Sequence, residues 1–236
     1  MSAAPSPLPA HHRIAEAMCA SVTGLLMPAT ASWFRRRPTE AELCVRVGRG
    51  RATYCQQQRH RYTITFGVRM VADKCQPALA HHWMTTHELH RRGYCAANPT
   101  VAQLLAHTVC HEFAHLVQQV NGWCRRGSVH NAAFYEILDR LHVTGLAREI
   151  GPLLEAANDD GAVSLDATLP APGKHAAETA AGAFRCGDRV CFEGRGGREI
   201  VGRIRRINRV TATVIPEDRR YRVSYYRVPF SLLVRL

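Results

Sequence analysis

The sequence predicts an α+β protein made of a larger N-terminal domain and a small all-β module. Three observations carry this prediction. Apolar residues recur at helical or alternating spacing through residues 1–157. Residues 158–182 are rich in Ala, Pro and Gly and have no apolar periodicity, which is typical of a linker. Residues 183–236 contain short alternating stretches separated by turns, a pattern that indicates a small antiparallel β module.

The N-terminal domain is expected to mix helices and strands. In chain order these are a helix over 12–26, strands over 42–47, 51–56 and 61–71, and helices over 82–92, 99–121 and 129–141. The strand over 61–71 alternates apolar and polar residues, so one face is expected to be buried. For the helix over 99–121, Asn98 as N-cap, Pro99 as first residue and Gly122 as stop signal set the expected ends.

The helix over 99–121 carries the run His111-Glu112-Phe113-Ala114-His115. Two histidines four positions apart lie on one helix face, one turn apart, and aim at one point. Glu112 falls beside that point, where it can take a proton from a metal-activated water. The opposite face carries an apolar stripe of Leu105, Val109, Phe113, Leu116, Val117 and Val120. We therefore predict a zinc site on this helix, with a cleft above the histidines.

A catalytic zinc usually has three protein ligands and one open position. The metzincin pattern does not fit, because Gln118 and Asn121 stand where that pattern has its glycine and third histidine. Two candidates for the third ligand remain. Glu136 would correspond to the thermolysin-like arrangement, but it lacks the usual flanking residues. His130 is favoured, because it starts the helical pattern over 129–141 and can swing back over the first helix.

The string His111-Glu112-x-x-His115, followed after fourteen residues by His130-Asn131-Ala132-Ala133-Phe134, resembles the SprT-like zinc metalloprotease pattern. One departure is Asn131, where the family usually has Gly. The resemblance covers about residues 12–157 and implies a zincin-like metalloprotease domain over 1–157, in which the active-site helix packs on a small antiparallel sheet. In such proteases a strand beside that helix pairs with the substrate backbone, and Tyr62–Val68 is the candidate.

The resemblance further implies a zinc-dependent endopeptidase that binds one Zn²⁺ per chain through His111, His115 and His130, with Glu112 as general base. Likeness to the Spartan branch implies protein substrates that are bound or crosslinked to DNA. Two alternatives stay open: a non-catalytic zinc-containing nucleic-acid-binding or adaptor protein, and a secreted thermolysin-like peptidase that uses Glu136.

Three further residues near the motif are interpreted from their positions alone. His107 lies one turn before His111 on the same helix face and is expected to support the site from beside the ligands or to line the cleft, with a solvated histidine as the alternative. Cys110 and Cys124 are expected to be small packing residues.

The module over 183–236 is strongly basic. It holds 13 Arg and five acidic residues, a net charge of +8 out of +12 for the chain. Its expected strands, over 188–193, 199–207, 211–216 and 221–224, suggest a small β barrel, which resembles KOW- or Tudor-like barrels. The candidate DNA-binding residues are Arg203, Arg205, Arg206 and Arg209, near Tyr221, Tyr225 and Tyr226. The same pattern also fits a solvated basic face with tyrosines in the core.

Cysteine usage and hydropathy indicate the compartment. The nine cysteines form no C-x-x-C pair, which favours a reducing environment. The expected location is cytoplasmic, or nucleoid-associated if the protein binds DNA. No stretch approaches the roughly 18 apolar residues of a membrane span, so no membrane partner is expected.

Overall fold

A computed structural model of the chain describes residues 9–80, 83–95, 98–124, 129–170, 183–194, 198–208, 211–218, 221 and 224–236. The chain is α+β and forms two compact units, Met1–Leu169 and Pro170–Leu236. No helix in the described residues combines the length and apolar character that crossing a bilayer requires.

The N-terminal unit has a helix or strand at each expected position, with ends shifted by a few residues. It starts with α1 (Ala10–Ala20), which continues as a π-helix (Ser21–Leu26) and α2 (Met27–Ala29), followed by a 3₁₀ turn (Ala31–Trp33). Next come β1 (Leu43–Gly48), β2 (Tyr54–Gln58), β3 (Arg61–Gly67), α3 (Val68–Lys74) and α4 (Pro77–Ala80). The remaining helices are α5 (Met84–Arg92), α6 (Val101–Val120), α7 (Ala132–Val143) and α8 (Leu146–Ala156).

The sheet of this unit is mixed, in the order β1-β3-β2. β2 and β3 form an antiparallel hairpin around a two-residue turn at Arg59 and His60, whereas β1 runs parallel to β3. The prediction of a small antiparallel sheet is therefore wrong for β1. The prediction that Tyr62–Val68 offers its edge to a substrate is also wrong, because β3 is paired on both sides and Val68 already belongs to α3.

The long helix α6 begins with a capping box. The Thr100 hydroxyl accepts a hydrogen bond from the Gln103 amide at 3.3 Å, and the Gln103 side chain accepts one from the Thr100 amide at 2.9 Å. Each bond satisfies a backbone N–H that a helix start leaves without an intrahelical partner. Thr100 is therefore the N-cap, and the prediction that Asn98 and Pro99 begin this helix is wrong.

We expect replacement of Thr100 by alanine to lower the free energy of unfolding by about 1 kcal/mol, the usual cost of losing an N-cap side chain. Urea denaturation of the full chain measures this change. Thr23→Ala, an exposed hydroxyl elsewhere in the same unit, is the control. Equal midpoints for the two variants would contradict the capping role.

Residues 165–169, part of the segment that the sequence assigns to a linker, pack against the start of α6 instead. The carbonyls of Leu165 and Ala167 accept hydrogen bonds from the first two amides of α6, at 2.9 and 3.0 Å. Leu165 and Leu169 are buried in the core. The N-terminal unit therefore extends to Leu169, while 171–182 lies outside the described residues.

The C-terminal unit is a five-stranded antiparallel sheet with the order β7-β6-β5-β4-β8. Its strands are β4 (Arg189–Glu193), β5 (Glu199–Ile207), β6 (Thr211–Pro216), β7 (Tyr226–Pro229) and β8 (Val234–Arg235). The strand expected over 221–224 is not found there: Tyr221 and Ser224 lie outside strands, and β7 follows instead. Closure of this sheet into a barrel stays a prediction.

Candidate metal centre

Helices α6 and α7 bring three predicted ligands together. His111 and His115 lie one turn apart on α6, and His130 lies just before α7. The Nε2 atom of His130 is 3.2 Å from Nε2 of His111 and 3.1 Å from Nε2 of His115. Zinc–nitrogen bonds of 2.0–2.1 Å in a tetrahedron would separate two ligand atoms by about 3.3 Å. The donor set therefore fits one metal ion, and these histidines form a group that could hold one.

Phe134 supports all three imidazoles. It is fully buried on the first turn of α7, and its ring centroid lies 4.4 Å from that of His115, 4.7 Å from that of His130 and 5.0 Å from that of His111. A fixed aromatic ring at this distance limits the orientations that each imidazole can adopt. Phe134 thus belongs to the centre although it offers no ligand atom.

The metal-facing side of α6 is more enclosed than the sequence predicts. The exposed fraction is 3 % for His111, 6 % for Glu112 and 9 % for His115. Helices α5 and α7 and strand β2 all pack against α6, which accounts for this enclosure, while the cleft above the histidines stays a prediction. His130, by contrast, is half-buried and thus the most accessible of the three histidines.

Burial also determines the charge of the histidines. It lowers the pKa of His115 to about 3, with a smaller contribution from the neighbouring His111 and His130. Burial likewise lowers the pKa of His130. Both imidazoles are therefore neutral near pH 7, and only a neutral imidazole has a lone pair to give to a metal.

Glu112 lies between the two helical ligands in sequence, against β2. Burial raises the pKa of its carboxyl group, while His111, Lys74 and a hydrogen bond from the Cys55 backbone favour the charged form. Lys74 is itself buried and donates to the hydroxyls of Thr85 and Thr108 at 2.7 and 2.5 Å. The neighbouring His111 and Lys74 and the Cys55 backbone hydrogen bond therefore offset part of the effect of burial on the pKa of Glu112.

Glu88, which no sequence pattern singles out, is the partner of His111. Its Oε2 atom is 2.7 Å from Nδ1 of His111 and 3.1 Å from Nε2 of His107. Burial opposes ionisation of Glu88, but the hydrogen bonds from His107 and His111 outweigh it and lower its pKa. An ionised carboxylate only accepts hydrogen bonds, so His111 carries its proton on Nδ1 and leaves Nε2 free for a metal.

His107 is fully buried, so the alternative in which it is solvated is wrong. Its contact with Glu88, the partner of His111, agrees with the expectation that it supports the site from beside the candidate ligands. Burial lowers its pKa to about 4, although Glu88 opposes this change. Glu88, His107 and His111 form a second group that could hold a metal ion. Cys110 is a buried packing residue as predicted, whereas Cys124 is exposed.

Asn131 holds His130 in place from the next position. Its Oδ1 accepts hydrogen bonds from the Phe134 amide at 3.1 Å and from the Gln118 side chain at 2.9 Å. Its Nδ2 donates to the Trp123 carbonyl at 3.0 Å. Asn131 is thus the N-cap of α7 and ties it to α6. Its φ of −91° is ordinary, so an unusual backbone angle does not explain this residue.

Glu136, the alternative third ligand, is exposed on α7. It belongs to neither of the two groups with metal-binding geometry found in the described residues. The geometry thus favours His130 over Glu136.

The predicted arginine surface is only partly formed as expected. Arg203, Arg205 and Arg206 are exposed on β5, and Arg209 lies outside the described residues. The register of β5 shifts between Ile204 and Arg206, which makes Arg205 the residue of a β-bulge. Arg203 is already paired, since its Nε lies 3.4 Å from Oε1 of Glu217.

The structure adds Arg227 to this surface. Arg206 pairs in register with Thr213 on β6, and Thr213 pairs with Arg227 on β7, so the two arginines flank Thr213 on the sheet. Arg227 is exposed, and in the described part of the chain neither Arg206 nor Arg227 has an acidic partner. Of the nearby tyrosines, Tyr221 and Tyr226 pack against the core, and Tyr225 is exposed.

Comparisons of the chain with protein-family models, with curated proteins and with solved structures found no match.

Proposed function

We propose that this chain is a zinc-dependent endopeptidase of the SprT-like kind, which binds one Zn²⁺ through His111, His115 and His130. The observation that carries the proposal is the position of His130 Nε2, which lies 3.2 Å from Nε2 of His111 and 3.1 Å from Nε2 of His115, next to the buried Glu112. Their spacing suits zinc, for which imidazole is a preferred ligand, and the lowered pKa values of His115 and His130 favour the neutral form that binds a metal. The pattern through Phe134 adds support from resemblance.

A bound zinc supplies a Lewis acid that activates a water and polarises a peptide carbonyl. Glu112 would act as the general base that takes the proton from an attacking water and would then return that proton to the leaving amine. The backbone hydrogen bond from Cys55 orients the Glu112 carboxylate for this transfer. Glu88 keeps the proton of His111 on Nδ1, away from the metal.

Since β3 is paired on both sides, β2 replaces Tyr62–Val68 as the candidate strand for pairing with the substrate backbone. It is an edge strand of the sheet and lies against α6, where the Gln119 side chain donates to the Cys55 carbonyl at 3.4 Å. An extended substrate that added to this edge would run beside Glu112. We therefore propose β2 as the strand that recognises the substrate backbone.

Three measurements test the proposed function together. Elemental analysis is expected to find one zinc per chain, denatured casein is expected to be cleaved, and a zinc chelator is expected to stop cleavage until zinc is restored. Zinc without cleavage, with and without DNA, would favour the alternative of a non-catalytic zinc protein. Absence of zinc would overturn the proposal.

We also propose that the C-terminal unit, as a KOW- or Tudor-like barrel, binds DNA and so directs the peptidase to proteins bound or crosslinked to DNA. The net charge of +8 over 183–236 and the exposed arginines around Thr213 support this second proposal. Arginine side chains match phosphate oxygens in a bidentate way. Cleavage of a DNA-bound basic protein, with and without the DNA, measures whether targeting occurs.

The double replacement Arg206→Gln and Arg227→Gln is expected to weaken DNA binding at every sequence. Because two phosphate contacts are lost, the slope of log affinity against log salt concentration should decrease by about 2. Fluorescence anisotropy with a labelled duplex at several salt concentrations measures both quantities. Arg203→Gln is the matched control, since Glu217 already pairs with Arg203. Equal slopes for the wild type and the double variant would contradict this surface.

A further inference from the structure

We propose that His107 and His142 are positioning residues for the metal centre, because through Glu88 they fix the tautomer and the ring orientation of His111. This inference rests on the proposed role of His111 as a ligand. It assigns a purpose to two histidines that bind no metal in the proposed function.

The contacts form one unbroken chain across three helices. Nε2 of His142 on α7 is 3.0 Å from Nδ1 of His107 on α6. Nε2 of His107 is 3.1 Å from Oε2 of Glu88 on α5, and the same oxygen is 2.7 Å from Nδ1 of His111. Each separation is a hydrogen-bonding distance. Each ring nitrogen in this series of hydrogen bonds, from His142 Nε2 to His111 Nδ1, therefore has one hydrogen-bonding partner.

The chemistry of the groups allows one assignment of protons along this chain. Glu88 can only accept, so both His111 and His107 donate to it, from Nδ1 and Nε2 respectively. A neutral His107 then has an unprotonated Nδ1, which must accept from Nε2–H of His142. Because His107 is fully buried, its neutral form is favoured. The proton on His142 thus fixes the tautomer of His107, whose Nε2–H holds the Glu88 carboxylate in the position from which it accepts the Nδ1 proton of His111.

His142 is fixed from the other side by stacking. Its ring lies parallel to that of Tyr94, with centroids 3.9 Å apart and an interplanar angle of 2°. The Tyr94 hydroxyl donates to Asp139 at 2.5 Å, and Arg92 donates to the same carboxylate at 2.7 Å. These residues line a surface cavity of about 790 Å³. The series of hydrogen bonds therefore begins at His142, whose ring is held by stacking on Tyr94 beside the surface cavity, and ends at the proposed ligand His111.

A second metal ion at Glu88, His107 and His111 is the competing interpretation of the same cluster. It would require His111 to bridge two ions through its two nitrogens. In addition, Oε2 of Glu88 lies 3.1 Å from His107 Nε2 and 2.7 Å from His111 Nδ1. Hydrogen bonds explain both distances without a metal ion. The two interpretations predict different metal contents, one or two ions per chain.

The test compares His107→Leu, His107→Gln and Cys110→Ala in the full chain. His107→Leu is expected to weaken zinc binding by roughly 10–100-fold in a competitive chelator titration, the usual effect of losing a partner of a metal ligand. It should also shift the visible spectrum of the cobalt-substituted protein. His107→Gln keeps one donor and one acceptor and is expected to restore most of the affinity. Cys110→Ala, a buried packing site on the same helix, controls for general loosening of the core.

A second variant keeps the test decisive if His107→Leu does not fold. His142→Phe retains a ring that can stack on Tyr94 but removes the hydrogen bond to His107, and it is expected to weaken zinc binding in the same direction. Unchanged zinc affinity and cobalt spectra in both variants, or two zinc ions per wild-type chain, would overturn the inference.

The tautomer itself can be observed without metal. Long-range ¹H–¹⁵N NMR of the metal-free wild type is expected to find His111 protonated on Nδ1, and the variants are expected to lose this preference. If the wild type bound no zinc, the proposed function would be wrong. The NMR measurement would still show whether His107 and His142 control the tautomer of His111. A mixture of His111 tautomers in the wild type would overturn it.

Discussion

Replacement of Glu112 by glutamine is expected to lower the rate of casein cleavage by about 10²–10⁴-fold, the usual contribution of a general base. Glutamine has nearly the same shape as glutamate and fits the same buried position, but it cannot take a proton from the attacking water. Zinc content is expected to remain at one ion per chain, because Glu112 is not among the proposed ligands. Initial cleavage rates and elemental analysis measure the two effects.

Glu136→Gln is the matched control for this experiment. Glu136 lies six positions after His130 and is exposed on α7. Its replacement is therefore expected to leave both the cleavage rate and the zinc content unchanged. Equal proteolysis by Glu112→Gln and the wild type would reject the assignment of Glu112. A loss of zinc in Glu112→Gln would indicate that Glu112 supports the metal site as well.

Replacement of His130 by alanine is expected to reduce zinc affinity by more than about 100-fold, because it leaves two protein ligands where a catalytic zinc usually has three. His130 is half-buried and lies outside α7, and the cap of that helix belongs to Asn131. The fold is therefore expected to survive the replacement. Chelator competition measures the affinity, and circular dichroism monitors the fold.

Glu136→Ala separates the two candidate ligands. If His130 is the third ligand, zinc affinity falls in His130→Ala and is unchanged in Glu136→Ala. The opposite result would transfer the role to Glu136 and support the thermolysin-like alternative. A loss in neither variant would leave the two helical histidines as the proposed ligands and contradict the three-histidine centre.

The sequence predicts the parts of the centre that follow from local spacing. His111 and His115 share a helix face because of the 3.6-residue period, and His130 follows within one connection. The same spacing places His107 one turn before His111, but the contact of Glu88 with both histidines could not be predicted in this way. That contact depends on the packing of α5 against α6, and Glu88 lies 23 positions before His111 in a separate helix.

The limits of the fold prediction have similar causes. The alternation over 61–71 predicts a strand, but neither its hairpin with β2 nor its parallel pairing with β1 follows from that alternation, because partner choice depends on contacts between separate strands. In the segment assigned to a linker, isolated apolar residues such as Leu165 and Leu169 lie among Gly, Asp and Pro. They have no period of their own because they fill gaps beside α6 instead of forming an element.

The attachment of residues 163–169 to α6 has a mechanical consequence. The amide of Leu169, the last residue of the N-terminal unit, donates to the Pro99 carbonyl at 2.8 Å, immediately before the cap of α6. The N-terminal unit thus ends beside the N-terminus of α6, the helix that carries His111 and His115. A pulling force applied to the chain beyond Leu169 would therefore act first on the backbone hydrogen bonds between residues 165–169 and the start of α6. The same hydrogen bonds hold both the end of this unit and the helix that carries the histidines.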